Sequence, residues 1–213
     1  NVRVYTVVGG VNGAGKSSLT GVLKAERNDL GYIIDVDKIA FENNGDNYKA
    51  ARIAISKINN FLKHGITFTQ ETTLSDHMVE RTIMKAKSFD YDIHLFYVGL
   101  SSAEESLKRI KNRVEKGGHD IPTEDVIRRY RTRFDTLIKI LPFCDEVKFY
   151  DNENRFDNIA EYRNGEIIYK SDYKPLWLSE LQEQLNDIDN LILDEEHDME
   201  LQWLTFLQYN ITN

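Results

Sequence analysis

Along the first 151 residues, two patterns of hydrophobic positions take turns: short apolar runs, and apolar residues at helical spacing. Five apolar or β-branched runs have the length of buried strands: residues 2–8, 31–37, 66–71, 91–100 and 145–151. Between them, apolar residues recur at helical spacing. Strands that alternate with helices form a parallel sheet with helices on both faces, and ligands bind at the carboxyl ends of its strands. The pattern therefore predicts an α/β fold with a mainly parallel five-stranded sheet.

Several helix boundaries can be read from the same pattern. Residues 47–63 place one set of apolar residues on a single helical face: Ala51, Ala54, Ile55, Ile58 and Phe61. Gly65 follows as a stop signal. Ser75 is a candidate N-cap for the next helix, and Ser102 with Glu105 forms a candidate capping box for the one after it.

The chain ends in a hairpin signal and an acidic tail. Asn164-Gly165 lies between two strand-like runs, which predicts a β-hairpin. After Lys174 the chain has nine acidic and no basic residues, with apolar residues at helical spacing. We expect residues 1–174 to form one domain and residues 175–213 an acidic helical extension.

Composition and charge limit the partners. The formal net charge is −8, and the tail accounts for all of it, so the remaining body is close to neutral. A surface of that charge disfavours nucleic acid as a general partner. The single cysteine, Cys144, fits a reducing compartment. No apolar run approaches the roughly 20 residues that span a bilayer, so we expect a cytoplasmic protein without a membrane partner.

A glycine-rich stretch joins the first predicted strand to the first predicted helix. Residues 10–17, GVNGAGKS, match G-x-x-x-x-G-K-[ST] at every fixed position. Small residues let backbone N–H groups surround phosphate oxygens, and the helix N-terminus adds partial positive charge. The pattern predicts an ATP site in which Lys16 contacts the β- and γ-phosphates and Ser17 binds Mg²⁺. The other residues assigned to the nucleotide here are Gly10, Asn12, Gly13, Ala14, Gly15 and Ser18.

Acidic and hydroxyl side chains follow the second and third predicted strands. Asp35 and Asp37 come first, and a carboxylate there either deprotonates a substrate hydroxyl or caps the next helix. We assign Asp37 as the base and Asp35 as the capping or supporting group. Glu71 ends a buried strand and therefore needs a partner. With Thr73 and Ser75 it suits a hydroxyl-rich substrate or water-mediated Mg²⁺ binding, although Thr73 extending the strand and Ser75 capping a helix is the alternative.

A basic segment follows the fourth predicted strand. Residues 108–133 contain nine basic and four acidic residues, interrupted by Gly117-Gly118-His119-Asp120. Two helices joined by this corner would form a lid that brings arginines onto bound phosphates. Arg109 and Arg113 share a helix face because they are four residues apart. We assign Arg113 to catalysis and Arg109 to the nucleotide, and leave His119 open between a hinge and a chemical role.

Taken together, the motifs resemble the zeta toxin family of P-loop kinases. The resemblance rests on GGVNGAGKSS, IDVDKIA, AARIAISKINNFLKHGITFTQETTLS and RIKNRVEKGGHDIPTEDVIRRY, with YDN following, and it covers most of residues 4–152. It implies a P-loop kinase domain over residues 1–174. It also implies ATP-dependent phosphorylation of a hydroxyl of UDP-N-acetylglucosamine and neutralisation by an antitoxin protein.

The resemblance assigns roles to residues already singled out. Matched by motif, ATP and Mg²⁺ would be held by Lys16 and Ser17, Asp37 would be the base and Arg113 would reach the phosphates. The sugar site would be lined by Glu71, Thr73 and Ser75. The chain departs from the family pattern at Ser75, where founding members carry an arginine. Its arginine pattern after Pro122 is shifted, so Arg128 and Arg129 receive no role.

Three functions are compatible with these patterns. The first is an ATP-dependent kinase acting on a nucleotide sugar. The second is a kinase for another hydroxyl, such as that of an antibiotic, a different sugar or a polynucleotide end. The third is a non-catalytic module whose ATP state regulates a partner. Asp37 and the arginine-rich lid favour the kinases, because a regulatory switch needs no base beside a second pocket.

Overall fold

A computed structural model describes residues 2–75, 77–118, 120–153, 156–190 and Met199. The chain divides into two compact units, Asn1–Pro175 and Leu176–Asn213. In the second unit, residues 176–190 form a helix. The rest of the predicted acidic extension lies outside the described residues, apart from Met199.

A single sheet forms the centre of the first unit. Its strands are β1 (Arg3–Gly9), β2 (Tyr32–Asp35), β3 (Phe68–Thr72), β4 (Tyr91–Gly99), β5 (Glu146–Asp151), β6 (Asp157–Arg163) and β7 (Glu166–Tyr169). They are ordered β2-β3-β1-β4-β5-β6-β7, and the first five in this order are parallel. The predicted parallel sheet is therefore confirmed. β1 lies at its centre and is buried along its length beyond Arg3, as both faces of a parallel strand require.

The predicted hairpin is also present. β6 and β7 pair antiparallel across Asn164 and Gly165, whose φ angles are 53° and 87°. Two positive φ angles define the turn that matches the strand twist, and Asn-Gly adopts them most readily. The hairpin extends the main sheet, because β6 pairs antiparallel with β5.

Helices connect the parallel strands. They are α1 (Lys16–Glu26), α2 (Val36–Glu42), α3 (Asn47–His64), α4 (Met78–Lys87), α5 (Ala103–Glu115), α6 (Thr123–Arg131) and α7 (Asp135–Ile140), followed by a 3-10 turn, Leu141–Phe143. The sequence patterns did not predict the short helices α2 and α7, which offer too few positions for a periodic signal. No helix within the described ranges combines the length and apolar character needed to cross a membrane.

The buried face of α3 shares Ala54 and Ile58 with the predicted one but is rotated relative to it. Its buried residues are Ala50, Ala54, Ile58 and Leu62, whereas Ile55, predicted to be on the buried face, is 42% exposed. The sequence of α3 offers two overlapping apolar stripes. In one of them an apolar residue recurs every four positions from Ala50 to Leu62, and this stripe is the buried one.

Two capping predictions have different outcomes. Ser102 caps α5, since its Oγ accepts a hydrogen bond from the backbone N–H of Glu105 at 3.1 Å. The prediction that Ser75 caps the following helix is wrong. That helix begins at Met78 after His77, which makes no side-chain cap, so Ser75 lies too far from the first turn to close it.

The glycine directly before β2 lies against the backbone of Thr67, directly before β3. Gly31 has φ 58°, and a Cβ atom there would lie 1.9 Å from the carbonyl oxygen of Thr67. We expect Gly31→Ala to lower the free energy of unfolding by about 1–3 kcal/mol, the cost of a strained backbone. Urea unfolding would measure it.

Gly21 provides the matched control. It is an exposed residue of α1, and a Cβ there would meet nothing within 4 Å. Gly21→Ala should therefore raise the free energy of unfolding by about 0.5–1 kcal/mol. Similar stabilities for the two alanine variants would contradict the packing described for Gly31.

Candidate active site

A cavity of about 470 Å³ lies beside the loop that joins β1 to α1, at the carboxyl ends of the parallel strands. Its lining includes six of the nucleotide residues predicted in the loop and at the start of the first helix: Asn12, Gly13, Gly15, Lys16, Ser17 and Ser18. Six other predicted site residues also line it: Asp37, Glu71, Thr73, Ser75, Arg109 and Arg113. Gly10 and Ala14 belong to the loop but do not line the cavity. Gly10 lies against Val98, and the carbonyl oxygen of Ala14 accepts a hydrogen bond from Asn152.

The backbone of this loop is packed too closely for ordinary side chains. Gly10 and Gly15 have φ angles of 153° and 101°. A Cβ atom on Gly10 would lie 2.5 Å from the carbonyl oxygen of Val98, and one on Gly15 would lie 2.5 Å from Nδ2 of Asn152. The loop can therefore present backbone groups to a ligand only because these positions are glycine.

Lys16 lines the cavity and is half-buried. Its ammonium donates to the carbonyl oxygens of Gly10 at 2.9 Å and Val11 at 3.1 Å. Burial lowers the pKa of Lys16, and the carboxylates of Asp37 and Glu71 oppose that shift. The ammonium thus lies between the loop backbone and the acidic side of the cavity, where it can bind a phosphate oxygen.

Ser17 and Glu71 form the clearest cation-binding pair in the cavity. The Ser17 hydroxyl donates to Oε2 of Glu71 at 2.7 Å, and Glu71 is only 8% exposed. The parallel pairing of β1 with β3 places Glu71 beside Val8, two residues before the loop begins. A hydroxyl and a carboxylate are oxygen ligands of the kind that Mg²⁺ binds, so these two residues fit that ion.

The two aspartates after β2 have different positions. Asp35 caps α2, since its Oδ1 accepts a hydrogen bond from the backbone N–H of Lys38 at 3.1 Å. Asp37 lies in the first turn of the same helix and lines the cavity. Of the carboxylates near Lys16, Asp37 has the strongest effect on its pKa. Asp37 is therefore placed to accept a proton next to a bound phosphate.

A turn after β3 presents two hydroxyls. Leu74 is buried with φ 55°, a conformation that non-glycine residues seldom adopt. Its side chain packs against Gly9, where a Cβ would lie 2.8 Å from the Leu74 Cδ1 atom. This turn brings the hydroxyls of Thr73 and Ser75 to 2.8 Å from each other at the cavity wall.

Arginines from α5 and α6 approach the cavity from the other side. Arg109 donates to Glu105 at 2.9 Å and to the carbonyl oxygen of Asn152 at 3.3 Å. Arg129 donates from Nη1 to Oδ1 of Asn12 at 3.0 Å. The buried Nε of Arg129 makes no hydrogen bond within the part of the chain that is described. Both arginines line the cavity, as Arg113 does.

Sequence reasoning left Arg128 and Arg129 unassigned, and the structure separates them. Arg128 is 58% exposed and pairs with Asp125 at 2.7 Å, whereas Arg129 lines the cavity. Val126, three residues before Arg129, is the buried residue of α6. Arg129 thus lies on the same side of the helix as Val126, and only tertiary packing selects that side as the inward one. His119 lies outside the described residues.

Asn152 is a further residue that sequence reasoning did not assign. It follows β5, and its Nδ2 donates to the carbonyl oxygen of Ala14 at 2.8 Å. Its own carbonyl oxygen accepts the bond from Arg109. Asn152 therefore connects the glycine-rich loop to Arg109 of α5. Its place directly after a parallel strand was the available signal.

Solved structures of similar fold show the fold class of this chain. A structure of the PezAT chromosomal toxin-antitoxin system of Streptococcus pneumoniae has a TM-score of 0.54 at 17% identity, covering 92% of this chain and 87% of that chain. The AvrRxo1-ORF1:-ORF2 complex with ATP has a TM-score of 0.60 at 14% identity, covering 86% of this chain and 63% of that chain. The chain has a P-loop kinase-like fold, which confirms the predicted fold class.

A curated relative defines the family. An uncharacterized protein of Haemophilus influenzae is 36% identical over 126 residues, which span 57% of this chain and 88% of that protein. The chain belongs to the same family as this protein. No protein-family profile matches the chain.

The role of Asn152 in holding the loop can be measured. Asn152→Ala removes the hydrogen bond to Ala14, and such a bond contributes about 0.5–1.5 kcal/mol. We therefore expect the affinity for a non-hydrolysable ATP analogue to fall roughly two- to tenfold in calorimetric titration. Asn60→Ala, on an exposed position of α3, is the matched control. Equal affinities for both variants would show that Asn152 does not shape the loop.

Proposed function

We propose that this protein is an ATP-dependent phosphotransferase that transfers the γ-phosphoryl group to a hydroxyl of a small molecule. One observation carries the proposal. The glycine-rich loop, Lys16 and the carboxylates of Asp37 and Glu71 line the same cavity, so a phosphate donor and a hydroxyl acceptor would meet there.

The donor would bind along the loop. Backbone N–H groups and the N-terminus of α1 would surround the phosphates, and Lys16 would exchange its contacts with two carbonyl oxygens for phosphate oxygens. Ser17 and Glu71 are the side chains that would hold Mg²⁺, and the bound ion would neutralise charge on the β- and γ-phosphates.

Transfer would then proceed by displacement at the γ-phosphorus. Asp37 would accept the proton of the acceptor hydroxyl as its oxygen forms a bond to phosphorus. The bond from phosphorus to the β-phosphate oxygen would break and release ADP. Lys16, Arg113 and Arg129 would stabilise the negative charge that is spread over the transferring group. The products are ADP, a phosphate monoester and a proton passed from Asp37 to water.

The regulatory alternative is disfavoured by the position of Asp37. A module that only switches with bound ATP needs no carboxylate at the cavity wall near the phosphate-binding lysine. Among acceptors, the resemblance to zeta toxins implies a nucleotide sugar. The carboxylates that β2, α2 and β3 contribute to the cavity argue for a different class.

A protein partner is a second element of the proposal. The zeta toxin resemblance implies an antitoxin, and one solved structure of similar fold is of a toxin-antitoxin system. We propose that residues 1–174 carry the kinase activity and that the partner, if the chain is a toxin, suppresses it. Restoration of growth by a neighbouring gene during expression of the chain would support this partner.

Lys16→Ala tests the phosphate site. The substitution removes charge at the transferring phosphoryl group without removing a core side chain, so phosphorylation of any acceptor should be abolished while the melting temperature stays close to wild type. Lys24→Ala, on the exposed end of α1, is the control and should keep wild-type turnover. Near-normal turnover by Lys16→Ala would refute the site.

Asp37→Asn tests the base. Loss of a general base lowers turnover by roughly 10²–10⁴, and ATP affinity should change little because Ser17 and Lys16 remain. Asp92→Asn is the control, since Asp92 is exposed near the start of β4, at the opposite end of the sheet. A fully active Asp37→Asn enzyme would mean that the base is elsewhere.

A further inference from the structure

We propose that the acceptor is a hydroxyl-rich molecule that carries no phosphate or other negative group. The inference rests on the proposed phosphotransferase function and narrows its substrate class. It comes from the way in which the fold distributes charge around the cavity.

The sheet order separates the charges into two groups. β2 and β3 lie on one side of β1, and β4 and β5 lie on the other. The arginines of the cavity come from α5 and α6, which follow β4 in the chain. The three carboxylates of the cavity, Asp35, Asp37 and Glu71, come from β2, α2 and β3. Lys16, on the central loop, lies between the two groups.

The arginine side is the side of the phosphate donor. Arg129 and Arg109 contact Asn12 and Asn152 beside the glycine-rich loop, so they approach the place where the donor phosphates would bind. The acceptor must therefore occupy the other side, next to Asp37. We define the acceptor side as the cavity lining contributed by β2, α2, α3, β3 and the turn that follows β3.

The acceptor side is acidic. Among its described lining residues, the charged ones are Asp35, Asp37 and Glu71, and none is a lysine or an arginine. Two basic residues of the adjacent helix α4 make contacts elsewhere. Arg81 donates to the carbonyl oxygen of His77 at 3.3 Å, and Lys85 donates to Asn59 at 2.7 Å. A phosphate placed on this side would thus face like charge.

The N-terminus of α4 does not reverse this balance. The helix begins without a side-chain cap, and a free helix N-terminus carries about half a positive elementary charge. Two carboxylates remain on the acceptor side even when Glu71 is counted as a ligand of Mg²⁺. A diphosphate group adds further negative charge, so its binding there is disfavoured.

The same lining suits neutral hydroxyls. Carboxylates only accept hydrogen bonds, whereas hydroxyl and amide side chains both donate and accept. Polar groups of the second kind on this side are Gln70, Thr72, Thr73 and Ser75. A polyol would donate to the carboxylates and exchange hydrogen bonds with the hydroxyls. An ammonium group on the acceptor would add a favourable charge.

The products of the reaction test this class, whichever molecule is the acceptor. Wild-type protein is incubated with a metabolite extract and ATP that carries heavy oxygen in the γ-phosphoryl group, and labelled products are weighed by mass spectrometry. We expect a labelled product that contains only the transferred phosphate. A labelled product with additional phosphates, such as a phosphorylated nucleotide sugar, would overturn the inference but leave the kinase proposal intact. If no product is labelled, the kinase proposal fails, and the inference fails with it.

A charge placed on the acceptor side provides a second test. Ser75→Arg introduces a cation at the cavity wall, and Ser56→Arg introduces the same residue on an exposed position of α3. UDP-N-acetylglucosamine is the probe, titrated into protein saturated with Mg²⁺ and a non-hydrolysable ATP analogue. We expect equally weak binding to the wild type and Ser56→Arg and at least about threefold tighter binding to Ser75→Arg, as charge complementarity predicts. Tight binding of this probe to the wild-type protein would overturn the inference.

Discussion

The candidate site depends on one steric constraint, the absence of side chains at Gly10 and Gly15. The carbonyl oxygen of Val98 and the amide of Asn152 occupy the space that Cβ atoms would need at these two positions. Val98 belongs to β4 and Asn152 directly follows β5, so the central sheet fixes the position of the loop backbone. Because the loop backbone is fixed, Lys16 and Ser17 begin α1 in a defined orientation toward the cavity. The proposed phosphate site therefore has its shape without a bound ligand.

The parallel sheet then determines what faces that site. Pairing of β1 with β3 brings Glu71 within hydrogen-bonding distance of Ser17. The chain crosses from the loop to β2 on one side, where it supplies carboxylates, and to β4 on the other, where α5 and α6 supply arginines. In the proposed reaction, donor and acceptor would thus be distinguished by charge. This arrangement supports both the proposed transfer and the proposed exclusion of phosphate from the acceptor.

Local patterns predicted those parts of the molecule that local forces decide. The five parallel strands, the glycine-rich loop and the Asn164-Gly165 turn follow from residue spacing and backbone preferences. The sequence did not reveal that Ser75 bonds to Thr73, because the turn between them depends on Leu74 packing in a conformation that leucine rarely adopts. Arg128 and Arg129 could not be separated either, since one residue along a helix turns the side chain by about 100° and only tertiary packing fixes which face is inward.

Hydrogen exchange of the wild-type protein, measured with and without Mg²⁺ and a non-hydrolysable ATP analogue, tests the central claim most directly. The claim is that the nucleotide binds along the loop between β1 and α1 and that the arginines of α5 contact its phosphates. The account predicts slower exchange in peptides covering residues 10–19 and 106–113, with unchanged exchange at the hairpin turn of residues 163–166. Unchanged exchange at residues 10–19 under conditions where calorimetry shows the analogue to be bound would contradict the account.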